Sequence, residues 1–177
     1  MAETARVFYG LWPTPAEAAQ LVPHATVLKA ATRGRPSHPA SLHLTLVFLG
    51  DVPVDVLPQL RNLEVAGDRP GFDLALDRRG VWRHNGIGWL MPATPPPELL
   101  ELQSTLETAL RAGGFEPERR PFRPHVTLTR HGRDDFPDGA IVPVIWRVRE
   151  WVLVRSNGTA VDGSRYETLA RFPLHQP

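Results

Sequence analysis

Apolar positions change spacing several times along this chain, and each change marks an element. Arg6 to Leu11 is a dense apolar run and predicts a buried first strand. Thr14-Pro15-Ala16-Glu17 follows with the signals of a helix start: a capping hydroxyl, a proline in the first turn and a glutamate three residues after the cap. Ala18, Leu21, Val22, Ala25 and Leu28 recur at helical spacing, so a helix should run towards Ala31, kinked or interrupted by Pro23. Thr32 to Pro39, rich in Arg, Gly and Pro, reads as a loop, and Ser41 to Gly50 as the next strand.

A short helix is expected between Pro53 and Leu63, burying Val54, Leu57 and Leu60. Phe72, Leu74 and Leu76 alternate as a half-buried strand. Val81 to His84 and Ile87 to Met91 read as two further strands around an Asn85-Gly86 turn. Glu98 to Ala112 is the strongest helix, with Leu99, Leu102, Leu106 and Leu110 on one stripe and Gly113-Gly114 at its end. Arg123 to Arg130 reads as a strand and His131 to Gly139 as a loop. Ile141 to Ser156 holds one or two strands, and Tyr166 to Phe172 the last. Helices interleave with hairpins, which predicts an α+β fold of mixed, largely antiparallel sheet.

One short pattern occurs twice. His43-Leu44-Thr45-Leu46 returns as His125-Val126-Thr127-Leu128, each with a glycine seven positions after the histidine. The offset, 125 minus 43, is 82 residues, and the same gapless shift brings Pro13 onto Pro95, Pro15 onto Pro97, Leu28 onto Leu110, Pro39 onto Pro121 and Gly50 onto Gly132. We read this as an internal duplication. With 177 residues, the chain suits one unit of two similar lobes.

Composition narrows the chemistry. No cysteine is present, which excludes disulfides and thiolate metal sites and fits a reducing cytoplasm. The N-terminal residues lack a signal-peptide pattern and no run of 18 apolar residues occurs, so no membrane association is expected. Asn157-Gly158-Thr159 is read as a turn rather than a glycosylated sequon. Net charge is only +1, yet Lys29 is the sole lysine among 20 basic residues, and Arg119, Arg120, Arg123, Arg130 and Arg133 crowd the second histidine. Guanidinium groups suit an anionic, phosphate-bearing substrate.

In an extended strand, residues two apart share a face, so each motif offers one imidazole beside one hydroxyl. Imidazole titrates near neutrality, and two of them can serve as base and acid in one step. Opening a phosphodiester needs such a pair, one taking a proton from water and the other giving one to the departing oxygen. Threonine hydroxyls can bind the non-bridging phosphate oxygens. The spacing offers no zinc ligand set, phosphate loop, nucleophile elbow or cofactor fingerprint, so neither metal nor cofactor is expected.

These stretches resemble the two-histidine phosphoesterases and, more narrowly, the RNA 2',3'-cyclic phosphodiesterases, also called 2'-5' RNA ligases. The closer match lies in Leu-His-Leu-Thr-Leu-Val-Phe-Leu-Gly at 42–50, Arg-Pro-Phe-Arg-Pro-His-Val-Thr-Leu-Thr-Arg at 120–130 and Tyr-Glu-Thr-Leu-Ala-Arg-Phe-Pro-Leu at 166–174. The resemblance implies a bilobal fold with a pseudo-twofold axis through a central cleft lined by one motif strand from each lobe. It implies that His43 is the proton donor and His125 the proton acceptor that activates water. A 2',3'-cyclic phosphate would open to a 2'-phosphate, and the reverse reaction would join RNA ends through a 2'-5' bond. Thr45 and Thr127 carry over as phosphate contacts. Val47 stands where the family often has a basic residue; Arg130 is the substitute candidate, although strict alternation points it away from His125 and Thr127.

The expected partner is an RNA or nucleotide ending in a 2',3'-cyclic phosphate, handled by a monomer. Two rival readings remain: a relative acting on a small nucleotide, such as an ADP-ribose cyclic phosphate or a 2'-5' oligoadenylate, and a non-catalytic module that binds RNA ends. Trp82, Trp89 and Phe48 are candidates for stacking on a base, although core packing accounts for them more simply. His24, His38, His84, His131 and His175 lack a paired hydroxyl and receive no role.

Overall fold

Proline opens both long helices, where its missing N–H leaves no helical bond unmade. In the computed structural model, which describes residues 3–65, 67, 69–156 and 165–175, α1 spans Pro15–Thr32 and α3 spans Pro97–Ala112. The capping box at α1 is complete: the Thr14 hydroxyl accepts from the Glu17 N–H, and the Glu17 carboxylate accepts from the Thr14 N–H. Of the two effects expected of Pro23, a kink or an interruption, the interruption does not occur, and α1 runs through it. Its lost hydrogen bond and ring clash cost about 3 kcal/mol, which the burial of Ala18, Leu21, Ala25 and Leu28 offsets. The Asn157-Gly158-Thr159 turn lies outside the described residues.

The strands are β1 (Thr4–Leu11), β2 (Arg35–Pro36), β3 (Leu44–Pro53), β4 (Phe72–Trp82), β5 (Ile87–Met91), β6 (Val126–Arg130), β7 (Gly139–Val148), β8 (Glu150–Ser156) and β9 (Tyr166–Pro173). They form one antiparallel sheet in the order β7-β4-β5-β6-β3-β1-β8-β9, with β2 added beside β6. The four strands on either side meet at a single opposed pair, Leu44 and Val126. A shift of 82 residues carries β1 onto β5, α1 onto α3 and β3 onto β6. Among the helix contacts, α1 packs on β6 and α3 on β3. Leu44, Leu46, Val126 and Leu128 join the helix stripes in one core.

Several boundaries differ from the sequence reading. Phe72–Trp82 is one strand rather than two, because β7 pairs along its first part and β5 along its second. The hairpin loop is therefore Arg83 to Gly86, closed by the Gly86 N–H donating to the Trp82 carbonyl at 2.8 Å, with Gly86 at φ 66°. The stretch read as a loop contains β2, which exists only because β6 offers it an edge. The short helix expected between Pro53 and Leu63 is present, as a 3-10 turn, Val54–Val56, that runs into α2, Leu57–Arg61, with Leu57 and Leu60 buried. Ile141 to Ser156 divides between β7 and β8.

Candidate active site

Leu44 and Val126 point into the core, so their neighbours on the motif strands point away from it. Continuing that antiparallel register by one residue in each direction sets His43 opposite Thr127 and Thr45 opposite His125. All four groups then share one face of the sheet. The two histidines are then diagonal neighbours, near enough for the charge of His125 to bear on His43.

Both histidines stand just before their strands, and both are held in the same way. His43 Nδ1 lies 2.7 Å from the Ser41 carbonyl, and His125 Nδ1 lies 2.7 Å from the Arg123 carbonyl. A carbonyl can only accept, so each Nδ1 carries the hydrogen and each Nε2 is left to exchange protons. Burial pushes His43 down to about 4, against the opposing bond to Ser41, and the charges of Arg130 and His125 lower it further. His125 is lowered by burial first, and then by Arg123 and Arg130 against the bond to the Arg123 carbonyl. The hydroxyls of Thr45 and Thr127 make no side-chain hydrogen bond among the described residues.

Arg130 reaches both imidazoles through its charge, which strict alternation did not anticipate. Across the β5–β6 pair, Trp89 faces Thr127 and Gly88 faces Thr129, so Leu128 is the extra residue of a β-bulge. Leu128 and Thr129 consequently both turn inward, and Arg130 emerges exposed on the side of His125 and Thr127. The first copy repeats the device: Tyr9 faces Val47 and Gly10 faces Thr45, leaving Leu46 extra. Val47 is therefore core, and Phe48 takes the outward position that Arg130 holds 82 residues later.

The bulge buries Thr129 with its hydroxyl unpartnered among the described residues. A Cβ on Gly88 would lie 2.2 Å from that oxygen and 3.0 Å from Leu28 Cδ1. Gly88→Ala is expected to destabilise the protein by about 1–3 kcal/mol, measured as a lower urea midpoint; an unchanged midpoint would show that the bulge yields freely.

The aromatic surroundings are less symmetric. Trp12 stacks on His43, with ring centroids 4.7 Å apart and planes 7° from parallel. Phe8 and Tyr166 close in at 5.1 and 4.9 Å. Trp12 follows β1 and falls opposite His43 if the Leu11–Leu44 pairing is continued, so only the strand pairing reveals it. Its indole N–H donates to the Ala40 carbonyl at 3.1 Å, bracing the turn that presents Ser41. On the other side, Trp82 meets His125 edge-on at 4.6 Å and carries the Arg123 guanidinium over its face at 5.1 Å. Of the aromatic candidates named from sequence, Trp82 adjoins the site, Trp89 is buried core, and Phe48 packs beside Phe8, Trp12 and Tyr166.

The remaining histidines include two with structural contacts. His24 accepts from Arg79 at 3.1 Å, with burial and the Arg79 charge keeping its pKa low, and His38 accepts from the Ala40 N–H at 3.2 Å. Among the described residues, no three His, Asp or Glu side chains are grouped to hold a metal ion, and no helix is long and apolar enough to cross a membrane.

A sheet that sets two His-x-Thr segments on one face has the architecture of a two-histidine phosphoesterase. The chain belongs to the 2'-5' RNA ligase superfamily, whose family profile matches residues 11–160. It is 35% identical over 184 residues to the RNA 2',3'-cyclic phosphodiesterase of Escherichia coli, covering 99% of this chain and 100% of that one. It is also 30% identical to the protein of the same name from Thermus thermophilus, over 96% of this chain and 90% of the relative. The crystal structure of E. coli LigT complexed with 3'-AMP superposes with a TM-score of 0.84 at 31% identity, covering 98% of this chain and all of that one.

Proposed function

We propose that this protein hydrolyses the 2',3'-cyclic phosphate ends of RNA to 2'-phosphates without a metal ion, the same machinery run in reverse joining ends through a 2'-5' bond. The observation that carries the reading is the pairing of Leu44 with Val126, which sets each histidine against the threonine of the other motif. The similarity to enzymes named RNA 2',3'-cyclic phosphodiesterase over nearly the whole chain supports the same reaction. The protein is taken to act as a cytoplasmic monomer. Residues 1–177 form one unit of two lobes about a pseudo-twofold axis, a reading supported by the shift that carries β1, α1 and β3 onto β5, α3 and β6.

In this reading the cyclic phosphate lies between the two imidazoles, its non-bridging oxygens bound by the Thr45 and Thr127 hydroxyls and by Arg130. His125 Nε2 takes a proton from water as the water oxygen attacks phosphorus. The bond from phosphorus to O3' breaks, and His43 Nε2 gives its proton to O3'. The products are a 2'-phosphate and a 3'-hydroxyl; proton exchange with solvent resets both rings. Burial favours the neutral form of His43, so the negative charge of the bound phosphate is what holds on this ring the proton that it gives to O3'.

The test is hydrolysis of a nucleoside 2',3'-cyclic phosphate in excess chelator, with the position of the product phosphate identified. A 2'-phosphate is expected, and no turnover, or a 3'-phosphate, would overturn the assignment. The pH dependence follows from the lowered imidazoles. The active free enzyme holds one proton on the pair, lost as pH rises through the higher of two values that both lie below 6.5. Thus kcat/KM should peak below pH 6.5 and fall about tenfold per unit above its upper limb. Bound phosphate is negative and raises both rings, so kcat alone should peak at higher pH. Arg130→Gln removes a charge that depresses both rings and should move the falling limb of kcat/KM upward; an unmoved limb would exclude that coupling.

A further inference from the structure

β2 is two residues long, and its register against β6 places Arg35 directly opposite Arg130. Directly opposed residues of an antiparallel pair project to the same face with Cβ atoms about 4.5–5.5 Å apart, and like charges in that relation repel. Both arginines are exposed, and neither forms a salt bridge among the described residues. Acidic groups nearby are engaged with other arginines. Asp134 binds Arg33 at 2.7 Å, Asp135 binds Arg83 at 2.9 Å, and Asp138 binds Arg78 at 2.8 Å. The loop that follows β6 therefore holds three carboxylates, and each neutralises an arginine outside this pair.

The pair is also fixed in place. Pro36 faces Thr129, and the Ser37 N–H donates to the Leu128 carbonyl at 2.8 Å. The Ser37 hydroxyl donates to the Thr127 carbonyl at 3.2 Å. β2 is thus pinned to the very residues that form the bulge and carry Thr127. Arg130 stands at the inner end of the pair, where its charge acts on both imidazoles, and Arg35 lies one strand further from the reacting phosphate. Two unneutralised guanidinium groups side by side call for an anion, and the chain of a nucleic acid supplies a phosphodiester beyond each nucleoside.

We propose that Arg35, beside Arg130, forms a second phosphate site that takes the phosphate on the 5' side of the terminal nucleotide. The enzyme then selects RNA strands over lone nucleosides bearing the cyclic end. This rests on the function proposed above and specifies its substrate: Arg130 serves the reacting phosphate, and Arg35 reads whether a chain continues behind it.

Three ligands separate the cases: a nucleoside 2',3'-cyclic phosphate, the same nucleoside with an added 5'-phosphate, and a dinucleotide with the cyclic end. Binding of the corresponding 2'-phosphate products is measured alongside turnover, so the site is tested even if hydrolysis fails. The ligands with a 5'-side phosphate should bind about tenfold more tightly than the one without. Arg35→Gln should cut that advantage to less than twofold, and the salt dependence of dinucleotide binding should flatten by about 0.7 in log–log slope. Arg35→Lys, which keeps the charge, should restore part of both. If Arg35→Gln weakens all three ligands alike, or none, the second site is wrong while the proposed reaction stands. If no cyclic end is hydrolysed yet the 5'-side phosphate still gains its advantage through Arg35, the reaction is wrong and the site stands.

Discussion

Replacing His125 or His43 with alanine is expected to lower kcat by about 10²–10⁴-fold, the share that one positioned acid or base supplies. The fold should survive with a small drop in stability. Each ring makes one hydrogen bond, to the backbone carbonyl of Ser41 or Arg123, and its replacement also loses the contacts with neighbouring aromatic rings, Trp12, Phe8 and Tyr166 for His43 and Trp82 for His125. Circular dichroism and the thermal midpoint check the fold; a single-turnover assay on a cyclic phosphate checks the rate. The double variant should lose less than the product of the two single losses, because acid and base act in one step. A rate within threefold of wild type for either variant would remove that histidine from the mechanism.

The second large effect concerns the hydroxyls. Thr45→Ala and Thr127→Ala should each cost about 10²–10³ in kcat, the range for losing one donor to an oxyanion. Serine at either position keeps the donor and should recover most of the rate. The discriminating result is Thr127→Ser: a variant as slow as Thr127→Ala would mean that the methyl group, packed at the strand junction, matters more than the hydroxyl. Equal losses at positions 45 and 127 are expected from the register, since each threonine faces the histidine of the other motif.

Much of the fold is written locally. The leucine stripe of α3 is an unbroken helical repeat, and all four of its leucines are buried. The capping box of α1 forms as spelled, because its groups lie within four residues of one another. The two motifs were legible for a different reason, their repetition at one fixed offset. The errors share a cause as well. β2 has no apolar pattern of its own and is a strand only because β6 presents an open edge. β4 reads as two strands because its partner changes midway, which no property of Phe72–Trp82 records.

At the candidate site the division is sharper. Repetition and residue chemistry single out His43, His125, Thr45 and Thr127, since period-two alternation alone puts each pair on one face. The place of Arg130 needed the bulge at Leu128, which arises from mismatched register between β5 and β6 and reverses the alternation beyond it. Trp12, stacked on His43, and Arg35, opposed to Arg130, became visible only through strand pairing across 31 and 95 residues of chain. Most of the elements and the two repeated motifs were readable from the chain itself, because they depend on neighbours a few residues apart and on copies that match. Which side chains come together on one face of the sheet follows from the tertiary structure alone, because register between distant strands is a property of the packed sheet.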